Sequence, residues 1–202
     1  MSPETHLLAS WVIGANTTDN ARDCRLVALA GILPDLDGMG LVVDLVTRAC
    51  GGPKTFFYER YHHYLLHGVF GAVITALMLA CFARRKWRVG LLVLLVFHLH
   101  LLCDLVGSRG PDPVDLWPLF YFGPFSKDPM WLWHGQWALD AWPNRLLSVG
   151  LLVWALWLAV SRGYSFVGVF SQRLDRIFVE TLQQWHRRLG DWAGSRKSPG
   201  VR

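Results

Sequence analysis

The sequence is short of charge. Asp, Glu, Lys and Arg make up 17% of its 202 residues, against ~25% in a typical soluble domain. With hydrophobic residues at 52% and a mean hydropathy of +0.27, this excludes an ordinary soluble globule. Cysteine is scarce too. Cys24, Cys50, Cys81 and Cys103 form no CxxC pair, which argues against a disulfide framework and a cysteine-based zinc site. Cys81 and Cys103 fall in apolar runs, where a free thiol acts as a small hydrophobe. The first apolar stretch follows Glu4 and His6 rather than a basic start and has no clear cleavage site, so no signal peptide is expected. No internal repeat is present. No apolar run is of full spanning length: the longest are about 14 to 18 residues, against the ~20 needed to cross hydrocarbon.

What is present points to a membrane. There are 11 tryptophans, and Trp favours the membrane–water interface. The net charge of +5 could suggest nucleic acid, but its distribution argues against that partner. Basic residues gather at Arg84-Arg85-Lys86-Trp87-Arg88 and after Arg162, flanking apolar runs. That is the pattern of cytoplasmic anchors on an integral membrane protein.

The periodicities predict an all-α bundle. Thr5 caps a helix over about 6–15, and a second helix over 21–33 is stopped by Pro34. A short third helix covers 41–49. A histidine-rich segment from Glu59 to Phe82 starts the apolar part. A helix containing the run Val89 to Val106 follows, then a Trp-rich irregular stretch over 112–144 and an apolar helix over 145–160. Residues 171–192 have apolar positions at helical spacing with basic residues between them, as in an amphipathic surface helix. The expected organisation is a membrane-embedded domain over 1–162, with short N-terminal helices and three main apolar helices. An amphipathic helix over 163–194 and a disordered tail over 195–202 complete it.

One stretch organises the rest. His100 and Asp104 are four apart in the most apolar helix and share a face. A carboxylate in hydrocarbon is costly and marks a functional site with a partner. A His–Asp hydrogen bond that ties helices together is the plainer reading of the pair. A metal ion is the stronger partner, because it takes imidazole and carboxylate together. His63 and His67 are likewise four apart and would share a helical face, with His62 pointing elsewhere; His98 lies off the His100–Asp104 face. Successive helices joined by short turns pack antiparallel. His6 at the start of helix one, Asp35 after helix two, His67, His100 and Asp104 then all fall at one end of the bundle. Such a nitrogen–oxygen set suits one or two divalent ions, zinc first, with manganese or iron also possible. It would lower the pKa of a bound water to ~7 and so supply hydroxide for hydrolysis. Asp37, His63 and His134 are the candidates for general acid or base. The positive-inside rule puts the basic turn in the cytoplasm and this end outside.

The motifs resemble a known family. Thr5-His6, Leu33-Pro34-Asp35-Leu36-Asp37, His62-His63-x-x-x-His67-Gly68, His100-x-x-x-Asp104, Gly110 and Leu116-Trp117-Pro118 look like the membrane-bound metal-dependent hydrolases. These are bacterial inner-membrane proteins grouped with a LexA-regulated member. The resemblance covers residues 5 to 120. Trp133-His134-Gly135 to Asn144 looks like a later family segment. The family has Arg and Ser where this chain has His63 and Gly68. The resemblance implies a multi-pass inner-membrane location and His6, Asp35, His67, His100 and Asp104 as metal ligands, with Asp37 as a further one. The set is also distantly similar to zinc-dependent phospholipase C. A phosphoester in a membrane lipid or lipid-linked molecule is the expected substrate. A membrane amidase, thioesterase or protease, and a metal-binding sensor or transport protein, are the alternatives. Nothing in the sequence sets the oligomeric state.

Overall fold

The structure, a computed structural model, describes residues 1–195 and the side chains of 1–192. The expected tail over 195–202 lies, from 196 on, outside the described residues. The fold is all-α. Among the described residues eight helices run in order: α1 (Pro3–Thr17), α2 (Ala21–Ala30), α3 (Gly40–Ala49), α4 (Phe57–Tyr61), α5 (Val69–Phe82), α6 (Lys86–Gly107), α7 (Trp142–Arg162) and α8 (Gln172–Ser195). Short 3-10 turns at Pro34–Met39 and Phe166–Val169 link them. The only strands among the described residues are the two-residue pair β1 (Leu119–Phe120) and β2 (Met130–Trp131), antiparallel in the Trp-rich stretch.

Three apolar clusters hold the bundle, the smallest joining Ala72 of α5, Phe97 and Leu101 of α6 and Leu119 of β1. Trp11, Val12 and Ala15 of α1 pack with Cys24 and Ala28 of α2 and Leu158 of α7. On the other side of α2, Val27 and Ala30 meet Leu79 of α5 and Val89 and Val93 of α6. Burial of each large side chain contributes ~1.5–3 kcal/mol. The outer faces stay apolar: Ile74, Leu77, Leu91, Leu95, Val153 and Trp157 are all exposed. In water such continuous apolar surface would drive association; in lipid it is the expected solvent-facing side. Helices α6 and α7 are long and apolar enough to cross a membrane. The pair Ala21–Ala30 and Pro34–Ala49, bent by 53°, is a third span or a re-entrant segment.

The two ends of the bundle differ in charge. At one end the buried Asp23 carboxylate accepts the backbone N–H groups of Arg84 and Arg85 at 2.8 and 3.1 Å. Asp19 pairs with Arg85 and Arg88, both at 3.1 Å. This end therefore joins the α1–α2 turn to the basic α5–α6 turn. The other end holds the histidines and aspartates.

Several expected boundaries move. Thr5 is no cap: α1 opens at Ser2 with Pro3 at its first position, where the missing N–H costs nothing. Thr5 instead bonds Ser2 and Ser148 side chains from inside α1. Helix α2 ends at Ala30, before Pro34, which opens a 3-10 turn rather than stopping a helix. The segment from Glu59 to Phe82 is not one helix; residues 62–68 form a loop between α4 and α5. Asp37, distant in sequence, breaks it by drawing His62, Leu66 and His67 onto its carboxylate, which takes the Leu66 N–H from any helical ladder. Helix α3 buries no side chain. It turns back through α4, whose first N–H groups, on Phe57 and Tyr58, bond Asp44 at 2.9 Å each.

Gly31 lets α1 and α2 touch. A β-carbon there would lie 2.6 Å from both the His6 carbonyl and Ser10 Cβ. Gly31→Ala is expected to destabilise the fold by ~1–3 kcal/mol through overpacking, read as a lower melting temperature in detergent. An unchanged melting temperature would contradict the close approach.

Candidate metal centre

Each element at this end contributes one to three polar side chains. Helix α1 supplies His6, the 3-10 turn supplies Asp35 and Asp37, the 62–68 loop supplies His62, His63 and His67, and α6 supplies His100 and Asp104. All but Asp35 and His62 are buried. Asp104 is the hub. Its Oδ1 lies 3.0 Å from His6 Nε2 and accepts the Ser108 hydroxyl at 2.8 Å, and the Met1 amino group contacts the same oxygen. Its Oδ2 lies 2.9 Å from His100 Nε2, 3.5 Å from His67 Nε2 and 3.9 Å from His63 Nε2.

The tautomers follow from the bonding partners. His100 Nδ1 is 2.8 Å from the Gly31 carbonyl, an acceptor only, so Nδ1 carries the proton. His67 Nδ1 is 2.9 Å from Asp37 Oδ2, so it too donates. In its neutral form each ring presents an Nε2 lone pair inward. These two nitrogens stand 3.2 Å apart. Two lone pairs at that distance repel unless a positive charge lies between or beside them. For the same reason Asp104 Oδ2, although 2.9 Å from His100 Nε2, accepts no hydrogen bond and is buried without a partner. Asp35 Oδ2 is a second such orphan. Unpaired buried carboxylate oxygens are costly.

The donor spacing fits a small divalent ion. Asp35 Oδ1 is 3.6 Å from His100 Nε2 and 3.9 Å from His67 Nε2. With the 3.2 Å, 2.9 Å and 3.5 Å separations among His67, His100 and Asp104, these are edges of an irregular tetrahedron. Ligands at ~2.0–2.1 Å from a tetrahedral ion stand about 3.3 Å apart. Two overlapping ligand groups, His6–Asp35–His100–Asp104 and His63–His67–Asp104, share Asp104. The residues could therefore hold one ion, or two bridged by a carboxylate. The loop also feels the need for positive charge. Burial opposes protonation of His67, yet the negative charge of the adjacent Asp104 and Asp37 carboxylates raises its pKa above the usual imidazole range, the same demand for positive charge between these groups. His63 is pushed the other way, by burial and by the neighbouring His67.

The arrangement brings together all five expected ligands. His63 joins them, but by a different route than helical spacing. It sits in the left-handed region at φ 62°, a conformation costing ~1–3 kcal/mol that a non-glycine residue keeps where its surroundings demand it. Asp37 is not free to act as acid or base. Its buried carboxylate is fully engaged by His62, His67 and the Leu66 N–H, which makes it the group that orients two imidazoles. His62, expected to point elsewhere, is drawn in by Asp37 at 2.9 Å. His134 is exposed, and among the described residues no hydrogen bond or ion pair joins it to the cluster. His98 stays outside, bonding the Leu94 carbonyl and Tyr121 hydroxyl. The Gly31 carbonyl carried no signal in the sequence, since any residue offers one.

The cluster opens on one side into a cavity of about 460 Å³, walled by Tyr58, His62, His63 and Trp117 with Glu59 and Asp115 among the lining groups. Tyr58 stacks on His62 at 4.6 Å between centroids, and Trp117 meets His62 and His63 edge-on at 5.4 and 5.1 Å. Burial and the nearby Asp35 carboxylate push the Tyr58 hydroxyl up to about 12.

The fold and the cluster define a class: an all-α integral membrane protein with a buried His–Asp centre at one end of its bundle. More narrowly, residues 1–171 match the family described as YdjM inner membrane protein, and the chain belongs to that family. Helix α8 lies beyond the matched stretch. No curated protein and no solved structure matches the chain.

Proposed function

We propose that the chain is a metal-dependent hydrolase of the inner membrane, acting on a phosphoester in a lipid or lipid-linked substrate. The observation that carries this reading is the pair of inward lone pairs on His67 and His100, 3.2 Å apart beside two partnerless carboxylate oxygens. A divalent ion, zinc by the donor chemistry, would supply an acidified water and polarise the scissile group. His67, His100, Asp35 and Asp104 would hold it; His6 groups with Asp35, His100 and Asp104, and His63 with His67 and Asp104, which leaves donors for a second ion across Asp104. Asp37 and the Gly31 carbonyl fix the two imidazoles, as outer partners of metal-binding histidines do. His62 and His63 face both cluster and cavity and are placed to pass a proton to a leaving group.

The exposed apolar side chains of α3 (Leu41, Val42, Leu45 and Val46), with Phe56 and Phe57, flank the entrance side and suit lipid chains. The basic end, by the positive-inside rule, faces the cytoplasm, which puts the centre on the opposite side. One feature favours a second reading. Among the described residues no Lys or Arg lines the cavity, while Glu59 and Asp115 do. A phosphate would have only the metal as counter-charge, so an amide or carboxylic ester fits that lining as well.

The test is incubation of zinc-loaded protein with phosphatidylethanolamine in mixed micelles, followed by mass spectrometry of the products. Chelator-sensitive release of a phosphorylated headgroup or of diacylglycerol is expected. Metal-replete protein that leaves every phospholipid intact but cleaves an amide would move the assignment to the second reading.

A further inference from the structure

A second cavity lies at the far end of the bundle, away from the histidines. It holds about 560 Å³ and is lined by Arg22 and Arg25 of α2, Arg84 of the α5–α6 turn, and Gly168 and Gln172 before and at the start of α8. Three guanidinium groups converge on one concavity from two separate chain segments. Among the described residues, only one of the three has an ion-pair partner. Arg25 pairs with Asp175 at 2.8 Å, but its Nε is buried with no partner. The Arg22 and Arg84 side chains are exposed and form no hydrogen bond or ion pair among the described residues. The nearby Asp23 carboxylate is buried and already receives the Arg84 and Arg85 N–H groups. Gly168 keeps the wall open, because a β-carbon there would stand 3.0 Å from the Arg25 Cζ.

The surroundings add to the charge. First-turn residues of both α2 and α8 line the cavity, so two helix N-termini favour negative charge there. Trp87, almost fully exposed beside the basic turn, marks this level as the membrane–water interface. Basic pockets between helices at that level suit the headgroups of anionic lipids. The geometry points to a phosphate-binding site in this cavity, taking the phosphate of an anionic phospholipid headgroup or a free phosphate. It is independent of the hydrolytic reading, since it shares no residue with the His–Asp centre.

The experiment is native mass spectrometry of the full chain in detergent, titrated with phosphatidylglycerol, phosphatidylcholine or inorganic phosphate. Three forms are compared: wild type, R22Q/R84Q, and R85Q/R88Q, which removes two arginines of the same end that lie outside the cavity. The changed residues are exposed, so all three forms should fold, checked by equal melting temperatures without ligand. At ~1 kcal/mol for each arginine, R22Q/R84Q should weaken phosphatidylglycerol binding about thirty-fold, with a much smaller loss in R85Q/R88Q. Phosphatidylglycerol binding that phosphate does not displace would assign the site to lipid. Phosphate binding with the same arginine dependence, and no preference among lipids, would assign it to the free anion. Equal losses in the two double variants, or no dependence on Arg22 and Arg84 for either probe, would overturn the proposal.

Discussion

His100→Ala is expected to abolish high-affinity zinc binding and hydrolysis while the protein stays in the membrane. His100 Nε2 touches three other donors of the centre: His67 at 3.2 Å, Asp104 at 2.9 Å and Asp35 at 3.6 Å. Its removal breaks the ligand set at the centre rather than at an edge. Loss of an outer partner of a metal ligand costs ~10–100-fold in affinity, so loss of the ligand itself should exceed ~100-fold. Insertion should survive, because the substitution leaves α6 a 22-residue apolar helix. Zinc affinity, read by competition with a chromogenic chelator, and the membrane fraction of the variant check both halves. Wild-type zinc affinity in the variant would remove His100 from the centre.

Asp37→Ala carries the second large effect, and through a different route. Asp37 touches no inward Nε2. It holds the 62–68 loop by three contacts, to His62, His67 and the Leu66 N–H. Removing a buried charge partner costs ~3–5 kcal/mol, and here it also frees His67 to rotate. The variant should melt well below wild type and bind zinc ~10–100-fold more weakly. Asp37→Asn keeps an acceptor for one of the imidazoles and should recover most of the stability but not all of the affinity. A variant with lowered affinity and unchanged melting would show that Asp37 is a direct ligand, not an anchor.

Much of the centre was legible in the sequence because it rests on two robust signals. An aspartate in an apolar helix has few neutral explanations, and i, i+4 spacing placed His100 with it. Antiparallel parity then brought His6 and Asp35 to the same end. The 62–68 loop was not legible, because its conformation depends on Asp37, 25 residues away from His62 in the chain. Helical spacing put His63 and His67 on one face; the folded loop brings both to the cluster without a helix. The same non-local contact explains why His62 was misplaced. His134 sat in a family-like stretch, but the irregular loop carries it to the surface. Helix α3 read only as a short helix; its apolar Leu41, Val42, Leu45 and Val46 are all exposed, which makes sense with lipid as the missing solvent.

The central claim is that a divalent metal belongs between His67, His100, Asp35 and Asp104. Elemental analysis of the detergent-purified wild-type protein tests it most directly. The account predicts one or two zinc ions per chain, removable by a strong chelator and restored on adding zinc. Protein that holds no divalent metal, as isolated and after reconstitution, would contradict it and leave the cluster a polar network that ties the helices together.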